Sequence, residues 1–94
     1  DQALALGVLQ SQIYSRMAAA QIEAGQYEEA MQTIAQGRSL PDQSAARNLD
    51  FNEAVIREKQ GDFAAALELF EAYREKYGAD EAAEREIIFL KSRQ

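Results

Sequence analysis

The side chains that could carry out chemistry in this sequence are mainly carboxylates, because the 94 residues include neither His nor Cys. Ser-His-Asp and Cys-His arrangements are therefore impossible, and zinc is nearly excluded. Acids cluster at Glu28, Glu29, Glu81, Glu84 and Glu86. A catalytic carboxylate needs a pocket, whereas acids close to Arg85 and Lys91 are typical of a helix surface. We predict a protein that is not an enzyme, with no catalytic residues, no metal and no cofactor.

Charge and composition narrow the classes of partner. Ten Lys and Arg stand against 16 Asp and Glu, which gives a net charge of −6. Nucleic acid is an unfavourable partner, since binding phosphates requires a basic patch, and an anionic membrane surface is disfavoured for the same reason. No run approaches the roughly 18 apolar residues that a membrane span needs. We therefore expect a folded domain that binds no nucleic acid and inserts in no membrane.

The start of the chain leaves the cellular location open. The sequence begins at Asp1 with no initiator Met, so we expect a processed or truncated protein, and any signal or lipid anchor would have stood upstream. Both a cytoplasmic protein and an extracytoplasmic lipoprotein fit this start.

Helical periodicity runs through most of the chain. Apolar residues recur three and four positions apart at Tyr27, Ala30, Met31, Ile34 and Ala35, and again at Phe63, Ala66, Leu67, Phe70, Tyr73 and Tyr77. This spacing places them on one face of an amphipathic helix. No alternating β-branched run indicates a strand. The predicted fold class is all-α, with helices also expected over about 11–24 and 43–60.

Gly and Pro separate these predicted helices. Gly25 and Gly61 each stand in a short turn before an amphipathic series, where Gly readily adopts the left-handed conformation. After Pro41, Asp42 or Ser44 is expected to cap the next helix. Gly78 ends the fourth helix, and Asp80 with Glu81 supplies acid at the start of a fifth. All five Gly are interpreted as turn or cap residues, since no phosphate-binding loop is present.

The chain repeats itself at an offset of 36 residues. The matched pairs are Ala18 with Ala54, Gly25 with Gly61, Tyr27 with Phe63, Ala30 with Ala66, Met31 with Leu67, and Ile34 with Phe70. Both helices of each hairpin take part in the match. The sequence therefore predicts two copies of a helix-turn-helix unit.

The segments IEAGQYEEAMQTI and REKQGDFAAALELF resemble the turn and second helix of the tetratricopeptide repeat (TPR), a family with a period of about 34 residues. The two extra residues fit between Ser39 and Ala45. The resemblance implies a helical-hairpin solenoid in one domain, with repeat 1 at 11–40, repeat 2 at 43–77 and a capping helix at 79–93. Residues 1–10 would form a helical extension. Two departures are the missing Leu-Gly pair of the first helices and Arg57 where an aromatic is common.

A narrower resemblance concerns the closing part of the chain. The stretch from FNEAVIREKQGDF to REIIFLKSR is similar to the C-terminal end of TPR proteins common in clostridia, many of them lipoproteins. This similarity implies a bacterial protein and the end of a longer repeat array.

The resemblance also implies a function, because the first helices of TPR units line a concave groove that holds a protein or peptide. The family's pattern places three rows of residues in that groove: Gln12, Ser15, Ala19 and Glu23; then Asn48, Phe51, Val55 and Lys59; then Ala82, Arg85, Phe89 and Arg93. Phe51, Val55 and Phe89 would anchor a peptide, and Lys59, Arg85 and Arg93 would read its carboxylates. The alternative is that Phe51 and Val55 simply pack between helices.

One TPR sub-class, the clamp for a chaperone's C-terminal carboxylate, does not fit. Asn52 matches its middle position, but Ser15, Ala19, Ala82 and Glu86 stand where its other four residues should be. The predicted partner-binding set is Asn48, Phe51, Asn52, Val55, Lys59, Arg85 and Phe89.

A second functional interpretation is weak self-association through the C-terminal helix. Ile87, Ile88, Phe89 and Leu90 are consecutive and cannot share one helix face. Ile87 and Leu90, with Ala83, are expected to cap repeat 2. Either Phe89 lines the groove and Ile88 is a tolerated surface residue, or both contribute to an interface with another chain. We favour the groove for Phe89 and a contact with another copy for Ile88.

Overall fold

The computed structural model describes residues 10–41 and 43–93, which form five α-helices and no strand. The helices are α1 (Gln10–Glu23), α2 (Tyr27–Arg38), α3 (Ala46–Lys59), α4 (Phe63–Tyr77) and α5 (Glu81–Lys91). The predictions of an all-α chain and of five helices are confirmed. The predicted N-terminal extension, except for Gln10, and the Asp42 cap lie outside the described residues.

Glycine turns join the helices into hairpins, as the sequence predicts. Gly25 and Gly61 have φ angles of +79° and +85°, and Gly78 has a φ of +89° at the end of α4. Side chains other than Gly rarely adopt this backbone conformation. α1 therefore packs against α2 and α3 against α4, while α3 also contacts both helices of the first hairpin and α5 packs on α4.

The start of α3 differs from the prediction. The helix begins at Ala46, not at 43, and its N-cap residue Ala45 makes no side-chain cap hydrogen bond. The Ser44 hydroxyl lies 3.2 Å from the Ser11 hydroxyl. The Ala45 N–H donates to Ser11 Oγ at 3.0 Å. The expectation that Ser44 caps α3 is therefore wrong, because a serine from α1 accepts the hydrogen bond at this helix start.

Gly37 also departs from the expectation that every Gly is a turn or cap residue. It is buried inside α2. A Cβ atom added there would lie 3.0 Å from Leu49 Cδ1 and 3.1 Å from Tyr14 Cβ. The missing side chain is what lets α1 and α3 approach α2 this closely.

The core consists of two clusters, one for each hairpin. The first contains Ala18, Ile22, Ala30, Ile34, Leu49 and Ile56. The second contains Ala54, Ala66, Phe70, Tyr73, Ala83, Ile87 and Leu90. Val55 packs against both clusters. α3 therefore contributes to both cores and joins the hairpins.

The apolar residues of α5 divide as the sequence predicts. Ala83, Ile87 and Leu90 are buried against α4, whereas Ile88 is 69% exposed and Phe89 is 37% exposed. None of the helices in the described part of the chain has both the length and the apolar character needed to cross a bilayer.

Candidate functional site

The main cavity is lined by residues of α1, α3 and α4 and by the start of α5, and it has a volume of about 640 Å³. Small residues on α1 and α5 leave this space open, and larger residues of α3 and α4 line it. The lining residues are Ser15, Arg16, Ala19, Arg47, Asn48, Phe51, Asn52, Tyr73, Asp80 and Ala82.

Phe51 supplies the apolar part of this cavity and is also packed. Its ring contacts Phe70 edge-on at 5.2 Å and Tyr73 at 5.6 Å between centroids. Such contacts fix the ring and favour a rigid surface. The side chain is only partly buried. The structure is therefore compatible both with Phe51 as a peptide anchor and with Phe51 as a residue packed between helices.

Two amides of α3 lie beside this ring. The Asn52 Nδ2 group donates to the Ser15 carbonyl oxygen at 3.1 Å, which ties α3 to α1. Asn48 is exposed, and its side chain forms no hydrogen bond with any described residue. An amide offers donors and acceptors that match a peptide backbone.

Arg47, Tyr73 and Asp80 form a hydrogen-bonded cluster at the α5 side of the cavity. Arg47 donates from Nε to the Tyr73 hydroxyl at 2.6 Å and from Nη2 to Asp80 Oδ2 at 2.7 Å. The Tyr73 hydroxyl donates to the same Asp80 oxygen at 2.9 Å. Asp80 Oδ1 accepts the Ala83 N–H at 2.8 Å as the N-cap of α5.

These contacts shift the titration of the cluster. The Ala83 N–H, followed by Arg47 and Tyr73, lowers the pKa of Asp80 to about 2. Hydrogen bonds to Tyr73 and Asp80 raise the pKa of Arg47. The Arg47 charge is therefore permanent and held in one position, since three helices contribute to its contacts.

Arg16 is the second cation of the cavity. Its side chain is exposed and makes no ion pair or hydrogen bond with the described residues. With Asp80 already paired to Arg47, this leaves one uncompensated positive charge at the site.

The remaining predicted site residues lie outside the cavity lining. Val55 packs between the two cores, and Lys59 is exposed. Arg85 pairs with Glu81 at 3.5 Å on the surface. Phe89 contacts Phe63 edge-on at 6.4 Å between centroids, with the Arg93 guanidinium 4.7 Å from its ring centre. The structure thus brings Asn48, Phe51 and Asn52 together in one cavity, and a binding role for all seven predicted residues stays a prediction.

Sequence reasoning missed four residues of the cavity, namely Arg16, Arg47, Tyr73 and Asp80. The family's rows step past Arg16 and Arg47, which directly follow or precede row positions. The sequence pattern places Tyr73 only on an apolar helix face, and it predicts Asp80 only as acid at a helix start. The sequence did contain a signal for Tyr73 and Asp80. A Tyr among apolar residues and an Asp at a helix N-cap both have polar atoms that require hydrogen-bond partners.

A pair of carboxyl groups links α3 and α5. Burial, together with the hydrogen-bonding Glu86 carboxyl, raises the pKa of Glu58 to about 7. Over residues 10–41 and 43–93, no group of three or more His, Cys, Asp or Glu side chains is arranged to hold a metal ion.

The chain matches no protein-family model, no curated protein and no solved structure.

Proposed function

We propose that this chain is a TPR-like repeat protein that acts as a scaffold and binds an extended or helical segment of another protein on the face formed by α1, α3 and α5. The repeat assignment is supported by the 36-residue match, whose turn glycines share one backbone conformation and whose Ala18, Ala30, Ala54 and Ala66 are fully buried. Such small residues let paired helices approach each other.

The cavity across α1, α3 and α5 is the observation that carries the proposal. It combines a fixed aromatic ring, Phe51, with the exposed Asn48 amide and with the charged groups that line the same cavity. An apolar anchor surrounded by a few polar groups is typical of a site that binds a peptide. The proposal assigns no catalytic residue, since the cavity contains one carboxylate, Asp80, which is already paired.

A peptide selection tests this function. Peptides that bind the immobilised chain would be selected from a random display library, and the best would be synthesised for affinity measurements. Asn48→Trp should weaken binding by about tenfold or more, because the indole fills the cavity. Gln36→Trp is the matched control, since Gln36 is also an exposed helical amide but lies on α2, away from the cavity.

Failure of this test has two forms. A library that yields no binder would argue against peptide binding. Selected peptides that bind Asn48→Trp and the wild type equally well would show that the cavity is not the site.

Self-association is the second candidate function, favoured by the exposure of Ile88. An exposed apolar side chain next to Phe89 could contact another copy of the chain. Light scattering over a range of concentrations would show a mass that rises in the wild type and stays monomeric in Ile88→Lys. A monomer in both removes this candidate.

A further inference from the structure

The charges of the cavity indicate which segment it takes. The chain has a net charge of −6, yet the cavity is lined by two arginines and a single aspartate. A positive site on an acidic protein favours acidic segments and disfavours basic ones.

The two arginines differ in how many of their N–H donors are already used within the protein and in how firmly the side chain is held. Arg47 uses Nε and one N–H of Nη2 within the protein, so three of its five N–H donors remain. Its side chain is 49% exposed, and Tyr73 and Asp80 hold it in place. A donor that is already positioned loses little entropy when it binds a carboxylate.

Arg16 keeps its full set of donors, because none is used by the described residues. It lies on α1, whereas Arg47 lies on α3 and pairs with the N-cap residue of α5. Both line the same cavity as Phe51 and Asn48. A segment lying across this cavity would meet a cation, an amide and an aromatic ring.

We infer that the occupant is an acidic segment of another protein in which a carboxylate stands close to an apolar side chain. The carboxylate pairs with Arg16 and with the unused donors of Arg47, the apolar side chain packs on Phe51, and Asn48 bonds the backbone. This inference rests on the proposed function and specifies the partner's chemistry.

The peptides obtained from the random display library are the probe. They should be enriched in Asp and Glu beside aliphatic or aromatic residues. For the best peptide, replacing its acidic residues with the matching amides should weaken binding by about tenfold, since a charge-assisted hydrogen bond contributes about that factor. The affinity should also fall as salt is raised.

Two charge-matched variants of the protein locate the contact. Arg16→Gln should weaken the acidic peptide by about tenfold and leave its amide version unchanged. Lys91→Gln makes the same change of charge outside the cavity, so it should change affinity less than twofold. Equal losses in both variants would mean that only net charge matters, which would overturn the inference.

The inference and the proposed function can fail separately. Peptides blocked by Asn48→Trp but lacking acidic residues, or indifferent to Arg16→Gln, would keep the cavity as a peptide site and overturn its acidic preference. Peptides indifferent to Asn48→Trp would overturn both.

Discussion

The two hairpins match each other at an offset of 36 residues, but several matching positions hold side chains of different size. The first hairpin has Ser15, Ile34 and Gly37 where the second has Phe51, Phe70 and Tyr73. In the first hairpin the helices approach each other closely at Gly37. In the second hairpin the aromatic contacts of Phe51 fill the space between the helices. The cavity lies where they meet, because small residues of α1 stand beside the large ring of α3.

The hairpins also differ in how each connects to the next helix. Ser11 of α1 contacts Ser44 and Ala45 through neutral hydrogen bonds. At the matching place in the second hairpin, Arg47 pairs with Asp80. Matching positions of the two hairpins can therefore connect to the next helix either through neutral hydrogen bonds or through an ion pair. The ion pair is the connection beside the cavity.

The largest expected losses of stability come from substitutions in the two core clusters, and the two losses should differ. Phe70→Ala should destabilise the protein by about 4 kcal/mol, because it removes a fully buried ring and leaves a cavity. Ile34→Ala, at the matching position, should cost about 3 kcal/mol, since less volume is lost. Urea unfolding measures both.

Phe70→Leu is the milder variant if Phe70→Ala does not fold. An Ile34→Ala protein that is less stable than Phe70→Ala would contradict the expectation that the larger buried side chain contributes more to stability.

A smaller effect is expected from converting the first hairpin towards the second. Gly37→Leu should destabilise by about 1–3 kcal/mol, because its side chain overlaps Leu49 and Tyr14. Gly37→Ala should be nearly neutral, since a gain in helix propensity of about 1 kcal/mol offsets a tight contact. Thermal melts of Gly37→Leu and Gly37→Ala test whether the fold requires the close approach of helices at Gly37. A Gly37→Leu protein as stable as the wild type would contradict this requirement.

The charged and neutral links should respond differently to pH. Asp80→Ala should cost about 1 kcal/mol at pH 7 through loss of the N-cap. The folded pKa of Asp80, about 2, lies below its ordinary value of 3.8, so its stabilisation is complete above the ordinary value and is lost as pH falls through about 2. The deficit of Asp80→Ala should therefore shrink in acid.

Ser11→Ala is the control for that measurement. It should also cost about 1 kcal/mol, because the Ala45 N–H loses its acceptor. A serine does not titrate, so its deficit should be the same at pH 7 and in acid. Parallel pH profiles for the two variants would contradict the assigned role of Asp80.

The smallest expected effect concerns Glu58, which stands where the first hairpin has the buried Ile22. The pKa of Glu58 is raised to about 7, so its contribution to stability is present below its ordinary value and is lost as pH rises through about 7. Glu58→Gln should therefore raise Tm at pH 8 and leave it nearly unchanged at pH 5. An equal change at both pH values would show that no proton is shared with Glu86.

Much of the fold follows from local sequence signals. Turn glycines such as Gly25 and Gly61, the apolar series and the Asp80 start predict the helices, because these signals act within one or two turns of helix. Gly37 and the start of α3 could not be predicted, since their surroundings depend on residues of other helices. A glycine in a close helix contact looks, in the sequence, like a glycine at a helix end.

The candidate site was predictable where the resemblance to the tetratricopeptide repeat assigns a position to a side chain. Asn48, Phe51 and Asn52 lie on one face of α3 and reach the cavity. Arg47 belongs to the site only through Tyr73 and Asp80, which come from α4 and the start of α5. Such partners are set by tertiary packing, which spacing within one helix does not report.

Mapping the bound peptide by NMR tests the central claim most directly. Titrating the best selected peptide into the labelled chain should move the amide signals of Ser15, Asn48, Asn52 and Ala82, including the Asn48 side-chain amide, and leave the exposed residues of α2 in place. Signals that move only on α2 or around Ile88, with the cavity unchanged, would contradict peptide binding on the face of α1, α3 and α5.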